Sequence, residues 1–156
     1  MENKIKVSTI KISQINKLAK VYVKAFGKEA WSLKQAEKLL NLYFNRQPDM
    51  FLIASINGDL VGGFCCLIKP WWDGNHLVET ELFVDPKFHK TGIGRVLFKS
   101  LLARAQKNHK AVILEGITFA KTAFPLNWYK KIGIYPTKEL VFIDGKVDLI
   151  LKKLEC

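Results

Sequence analysis

Apolar and polar positions along the chain fall into short runs whose periods separate strands from helices. Ile5 to Ile10 alternate with polar neighbours, the period of a half-buried strand. Ser13 is placed to cap a helix whose Ile15, Leu18, Tyr22, Ala25 and Phe26 share one face, and Gly27 ends it. Ser32 and Gln35 form a capping box for a second helix, which carries Leu33, Ala36, Leu39, Leu40, Tyr43 and Phe44 until Pro48 stops it. Met50 to Ile56 and Leu60 to Ile68 are apolar strands on either side of Asn57-Gly58-Asp59, a strong hairpin signal. Gly62-Gly63 inside the second of them predicts a bulge or the close approach of another backbone. Pro70 to Asn75 reads as a turn holding two adjacent tryptophans, and Leu77 to Val84 as the next strand. After Pro86, apolar residues recur at Ile93, Leu97, Leu101 and Ala105, which predicts a helix from Gly92 to about Asn108. Ala111 to Ile117 then completes a βαβ unit, whose two strands should be parallel with a right-handed crossover. A short helix closed by Gly133 follows, and Lys138–Ile143 and Val147–Leu151 flank Asp144-Gly145 as a last hairpin. The predicted order is β-α-α-β-β-β-α-β-α-β-β, an α/β chain.

Composition narrows the class. A length of 156 residues suits one domain, here residues 1–156, with a single core. No apolar run reaches the ~18 residues of a membrane span and the first residues do not read as a signal peptide, so a cytoplasmic location without membrane partners is expected. Three cysteines, two of them the neighbours Cys65 and Cys66 and the third Cys156, predict no disulfide. His76, His89 and His109 lack ligand spacing, so no metal site is expected, and a single histidine reads as polar surface. The net charge of +11 favours an anionic partner. The lysines are scattered rather than blocked, so charge alone does not choose between an anionic small molecule, an acidic substrate and nucleic acid, of which nucleic acid is the least expected.

One junction carries the chemistry. Leu82-Phe83-Val84-Asp85-Pro86 is a strand stopped by proline, and His89-Lys90-Thr91-Gly92-Ile93-Gly94-Arg95 leads straight into a helix. The first turn of a helix has no internal acceptors for its N–H groups, the dipole adds roughly half a positive charge, and glycine lets a ligand reach the main chain. Such a junction suits a pyrophosphate. The spacing fits neither a Walker-A loop nor a Rossmann turn.

It resembles instead the acetyl-CoA loop of the GCN5-related N-acetyltransferase superfamily, Gln/Arg-x-x-Gly-x-Gly/Ala after Leu-Tyr/Phe-Val-x-Pro, with His89 in place of Gln or Arg. Trp128-Tyr129-Lys130-Lys131-Ile132-Gly133-Ile134 is similar to the superfamily's second signature, and the element order matches its mixed sheet. Thr122 stands where family members commonly carry Asn. The resemblance implies acetyl transfer from acetyl-CoA to a primary amine, on a small molecule or a peptide, directly in a ternary complex and without a metal. It implies an acetyl-CoA site formed by Leu82, Phe83, Val84, His89, Lys90, Thr91, Gly92, Ile93, Gly94 and Arg95, with main-chain amides of Phe83 to Val84 on the thioester where the strand bulges. It leaves a homodimer open. The other classes the residues allow are a non-catalytic acyl-CoA-binding module and a basic nucleic-acid-binding domain.

The reaction needs a neutral amine. An amine of pKa near 10.4 is neutral to only about one part in two thousand at pH 7, a deficit of roughly 4–5 kcal/mol, so a base is useful. Glu81 is the first candidate, beside Glu79 on the same strand face if strict alternation holds, and Glu115 in the next strand is similar to the Leu-Glu-Val of ribosomal-protein acetyltransferases. Tyr129 is the implied acid for the departing thiolate. The superfamily's acceptor pocket borders the first two helices, so Trp31, Tyr43 and Phe44 are placed either to line it or to fill the core. Trp71 and Trp72 are adjacent and cannot share a strand face, so one of them either meets a ligand or plugs the sheet edge.

Overall fold

The computed structural model of the chain describes residues 4–120 and 123–154, which divide into two compact units, Met1–Ile117 and Thr118–Cys156. In the first unit β1 (Lys6–Thr9), β2 (Phe51–Ile56), β3 (Asp59–Trp71), β4 (Gly74–Val84) and β5 (Ala111–Leu114) form one sheet in sequential order. The first three pairings are antiparallel and β4–β5 is parallel, so the sheet is mixed as expected. Asn57 and Gly58 take φ of 51° and 89°, the two left-handed residues that close the tight hairpin between β2 and β3.

Helices α1 (Ile15–Phe26) and α2 (Leu33–Arg46) cover one face, where Leu18, Tyr22, Leu40 and Tyr43 pack on Phe51, Ile53, Cys65 and Phe83. Helix α3 (Ile93–His109) crosses between β4 and β5, and its Phe98 stacks on Phe64 with ring centres 4.9 Å apart. The predicted capping box at the start of α2 is present: the Gln35 N–H donates to the Ser32 hydroxyl at 3.2 Å. Ser13, by contrast, caps nothing. It lies within a 3-10 turn, Ile12–Gln14, whose Gln14 side-chain carbonyl accepts the Lys11 N–H, so the α-helix begins two residues later.

Gly62-Gly63 answers to both expectations: Ala54 pairs with Gly62 but Ser55 with Leu60, so β3 carries Val61 as an extra residue beside the glycines, and the glycines themselves allow close approach. A Cβ on Gly62 would stand 2.8 Å from the Phe83 carbonyl oxygen, and one on Gly63 would stand 2.7 Å from the Phe83 ring. Because the neighbour at Gly62 is backbone, Gly62→Ala is expected to cost about 1–3 kcal/mol, the usual penalty of overpacking. Urea unfolding monitored by circular dichroism checks it, and an unchanged midpoint refutes it.

Two strands run longer than their apolar runs. The β3–β4 hairpin extends to Trp71 and Gly74, leaving only Trp72-Asp73 as the turn rather than Pro70 to Asn75. Strand β5 ends at Leu114, earlier than expected.

In the second unit α4 (Leu126–Lys131) ends before Gly133, whose φ is +90°. The last predicted hairpin is not formed: residues 138–146 hold no strand, and Val147–Leu154 is a helix, α5. Val147, Ile150, Leu151 and Leu154 recur at helical spacing, with Asp148 in the first turn and Lys152 and Lys153 in the last, each complementing the helix dipole. Among the described residues no helix is long and apolar enough to cross a membrane. Cys65 and Cys66 are buried and free, and Thr122 and Cys156 lie outside the described residues.

Candidate active site

The junction after β4 is built by short-range bonds. Asp85 is buried and ties the turn: its N–H reaches the Val61 carbonyl at 2.8 Å, and its carboxylate accepts the Lys87 N–H at 3.0 Å and the Lys24 ammonium at 3.1 Å. Burial works to raise the Asp85 pKa, but these partners outweigh it and hold the carboxyl below its ordinary value. The Thr91 hydroxyl donates to the Phe88 carbonyl at 2.6 Å. Lys90 and Gly92 then take φ of 63° and 88°, which turns the chain into α3.

The first bond within α3 is Val96 N–H to the Gly92 carbonyl, 3.0 Å, so the N–H groups of Ile93, Gly94 and Arg95 precede it, and no side chain caps this end. A Cβ on Gly94 would meet nothing within 4 Å. The arrangement offers converging donors on open ground, with Lys87, Lys90 and Arg95 exposed along the same stretch. His89 does not extend this set in the way Gln or Arg is expected to. Its Nε2–H donates to the Val84 carbonyl at 3.1 Å, which fixes the ring against the strand end.

Behind the loop, β4 and β5 part. Their register holds only from Asn75 to Leu77, and Glu115 N–H to the Leu77 carbonyl, 2.8 Å, follows it, while β4 runs on to Val84. In an antiparallel ladder bonded and non-bonded pairs alternate. Since Asp85 bonds Val61 in register with the pairs below, Phe83 and Glu81 direct their backbone groups to β3, whereas Leu82 and Val84 direct theirs to the side β5 has left. The register thus assigns the Phe83 amide to the β3 side, while of the expected pair the Val84 N–H faces the side β5 has left, together with the Leu82 backbone; the Val84 carbonyl there is taken by His89.

The three candidate carboxylates meet different surroundings. Cys65 pairs with Glu81 but Leu67 pairs with Val78, so β4 carries one extra residue between them, and Glu79 sits there with φ of 51°. The bulge breaks the alternation that linked Glu79 to Glu81: Glu79 is exposed, and Glu81 turns toward α1, where it accepts the Tyr22 hydroxyl at 3.1 Å. Burial raises the Glu81 pKa above the ordinary carboxylate value, and the Tyr22 bond opposes the rise. Glu115 accepts the Trp71 indole N–H at 3.2 Å and His76 Nδ1 at 2.5 Å, both on Oε1.

Of the aromatic candidates, Tyr43 is core: it is buried and its hydroxyl donates to the Glu79 carbonyl at 2.6 Å, clamping the bulge rather than lining a pocket. Phe44 packs on the same core, and Trp31 is half-buried with its ring edge-on to Tyr22 at 5.1 Å. Trp71 is partly covered by Lys69, whose ammonium lies 4.2 Å from the ring centre, and Trp72 is 86% exposed. Tyr129 lies in α4 of the second unit, half-buried, with its ring 5.3 Å from that of Trp128.

Sequence reasoning passed over His76 and Tyr22. His76 is not polar surface but 5% exposed, with Asp73 and Glu115 on its two ring nitrogens. It falls between the predicted turn and the predicted strand, where no local signal marks it, and its partner Glu115 is set by the register of β5. His109 is likewise paired, with Asp49 at 2.5 Å.

Solved structures share this fold, a mixed sheet whose parallel edge opens beside a glycine-bearing helix start. Over 94% of its length the chain aligns with 97% of an aminoglycoside N-acetyltransferase, AAC(6')-Iy, crystallised with CoA, at 13% identity and a TM-score of 0.73. It aligns with 93% of PH1933 from Pyrococcus horikoshii OT3 over 91% of its own length, at 26% identity and a TM-score of 0.68. The model of the Acetyltransferase (GNAT) family matches residues 15–133, and the chain belongs to that family. It is also 28% identical over 152 residues to an uncharacterized N-acetyltransferase, MJ1207, of Methanocaldococcus jannaschii, covering 89% of this chain and 65% of that longer relative.

Proposed function

We propose that residues 1–156 act as one N-acetyltransferase domain that moves an acetyl group from acetyl-CoA to a primary amine in a ternary complex. The observation that carries this reading is the open start of α3, where the amides of Ile93, Gly94 and Arg95 face outward with no capping side chain. In this reading they take the pyrophosphate, and Lys90, Thr91 and Gly92 shape the loop around it. The pantetheine arm runs along the edge of β4 that β5 has left, bonded by the Leu82 backbone and the Val84 N–H. Fixed amide dipoles there meet the charge that develops on the carbonyl oxygen as the amine nitrogen attacks.

Collapse of that intermediate forms the amide bond, breaks the carbon–sulfur bond and leaves a thiolate to be protonated. Glu81 takes the amine proton, since a carboxyl raised by burial is better matched to proton transfer near neutrality. Glu79 and Glu115 are the other carboxylates of this region. Tyr129 supplies the proton or a hydrogen bond to the thiolate. Direct transfer is supported by the two described cysteines: burial pushes the Cys65 thiol well up and the Cys66 thiol up to about 12, so neither of these supplies a thiolate.

Release of free thiol from acetyl-CoA across a panel of amines, amino acids and peptides tests the reading. Binding of CoA without turnover on any of them would leave a non-catalytic module. Within the same assay, Tyr129→Phe is expected to lower kcat by at least about tenfold, approaching the ~10²–10⁴ of a general acid if a proton rather than only a hydrogen bond is supplied, with CoA affinity nearly unchanged. Equal loss of both would make Tyr129 a packing residue.

A further inference from the structure

The contact between β4 and β5 is short, and a cluster of side chains stands at its open end. His76 of β4 places Nε2 2.9 Å from Asp73 Oδ1 in the hairpin turn and Nδ1 2.5 Å from Glu115 Oε1, the residue immediately after β5. Trp71 donates its indole N–H to the same Glu115 oxygen and presents its ring edge-on to the imidazole at 6.0 Å. The Thr80 hydroxyl reaches the Glu115 carbonyl at 3.2 Å, and the Glu115 N–H closes on Leu77. Glu115 is therefore held by its N–H, its carbonyl and its carboxylate at the point where the two strands begin to diverge. The charged groups around the imidazole are Lys69, opposite it in register on β3, Asp73 of the turn and Glu115.

We propose that His76 is a positioning residue: through Asp73, Trp71 and Glu115 it fixes the apex of the cleft between β4 and β5, and its protonation state sets how firmly the cleft holds an acyl-CoA thioester arm. This rests on the acetyl-CoA reading above. An imidazolium donates to both carboxylates at once. A neutral ring keeps one N–H and turns a lone pair toward the other carboxylate, so one strut of the apex becomes repulsive. Burial disfavours the charged ring, but the bonds from Glu115 and Asp73 outweigh it and raise its pKa above the ordinary histidine value. The sign follows: the strut is fully present below an unfolded-state pKa near 6.5 and is lost as pH rises through the higher folded-state value.

The test measures CoA affinity by calorimetry from pH 5.5 to 9 in the wild type, His76→Asn and Glu115→Gln, with imidazole titration and amide-exchange protection followed by NMR. CoA itself titrates in this range, so the comparison is between proteins. The wild type is expected to lose about fivefold in CoA affinity across the His76 midpoint beyond whatever the variants lose. Reciprocity then requires saturating CoA to raise the His76 midpoint by about 0.7. Protection of the Glu115 amide should fall over the same interval, and Glu115→Gln should lower the midpoint. If His76→Asn does not fold, Glu115→Gln and the CoA-induced midpoint change carry the decision. An unmoved midpoint with CoA bound, or identical pH profiles in the wild type and variants, overturns the proposal while leaving the acetyl-CoA reading intact. A wild type that binds no CoA at any pH removes that reading and this role together, even where the Glu115 amide still tracks His76.

Discussion

Gly94→Asp should give a chain that folds normally and no longer binds CoA. Gly94 is not among the glycines with positive φ, and its missing Cβ faces open space, so a side chain costs no strain there. Replacing a glycine in the first turn of α3 recovers part of the roughly 1 kcal/mol that glycine forfeits in helices, and an acidic side chain near a helix N-terminus adds about 0.3–1 kcal/mol. Thermal stability is expected to hold or rise. The same carboxylate occupies the ground assigned to the pyrophosphate and competes for the N–H groups of Ile93 to Arg95. Charge-assisted hydrogen bonds are worth about 1.5–3 kcal/mol each, so a loss of at least ~100-fold in CoA affinity follows. Gly94→Ala, which adds a methyl without charge, should lose much less. Calorimetric titration with CoA beside a melting curve reads both effects, and unimpaired binding by the aspartate variant would remove the loop from the acetyl-CoA site.

Glu81→Gln is expected to lower kcat/KM by about 10²–10⁴, the range for removal of a general base, while CoA affinity stays within error. The pH profile distinguishes this from a packing defect. Glu81 must be ionised to take a proton, and burial raises its pKa, so wild-type activity should fall on the acidic side at a higher pH than an ordinary carboxylate would dictate. That limb should vanish in the glutamine variant. Tyr22→Phe gives a second handle of known sign: the Tyr22 hydroxyl bond lowers the Glu81 pKa, so its removal should move the limb toward higher pH. An acidic limb that survives in Glu81→Gln would transfer the base role to another group, Glu115 first.

The part of the site that could be read from residues is the part made by neighbours in sequence. The proline stop after β4, the two glycines and the amphipathic run from Ile93 define the loop within a dozen residues, and nothing distant has to be known. The tight hairpin at Asn57-Gly58 and the box of Ser32 and Gln35 are equally local. His89 shows the limit: the motif positions the residue, yet its hydrogen bond runs back to Val84, and that depends on how the turn folds over the strand end. The tail shows another. Val147 to Leu154 carries both a run of β-prone residues and a helical spacing, and Asp144-Gly145 tipped the reading toward a hairpin that α5 replaces.

By itself the sequence determined the order and type of the strands and helices of the first unit, that one crossover is parallel, and that an anion-ready loop precedes α3, because periodicity, capping and turn chemistry act over a few residues. Only the tertiary structure decided that an extra residue at Glu79 separates its side chain from that of Glu81, that the Phe83 amide belongs to β3, and that His76 meets Asp73 and Glu115. Those outcomes are set by strand register, and register comes from the packing of whole faces rather than from any one stretch of chain.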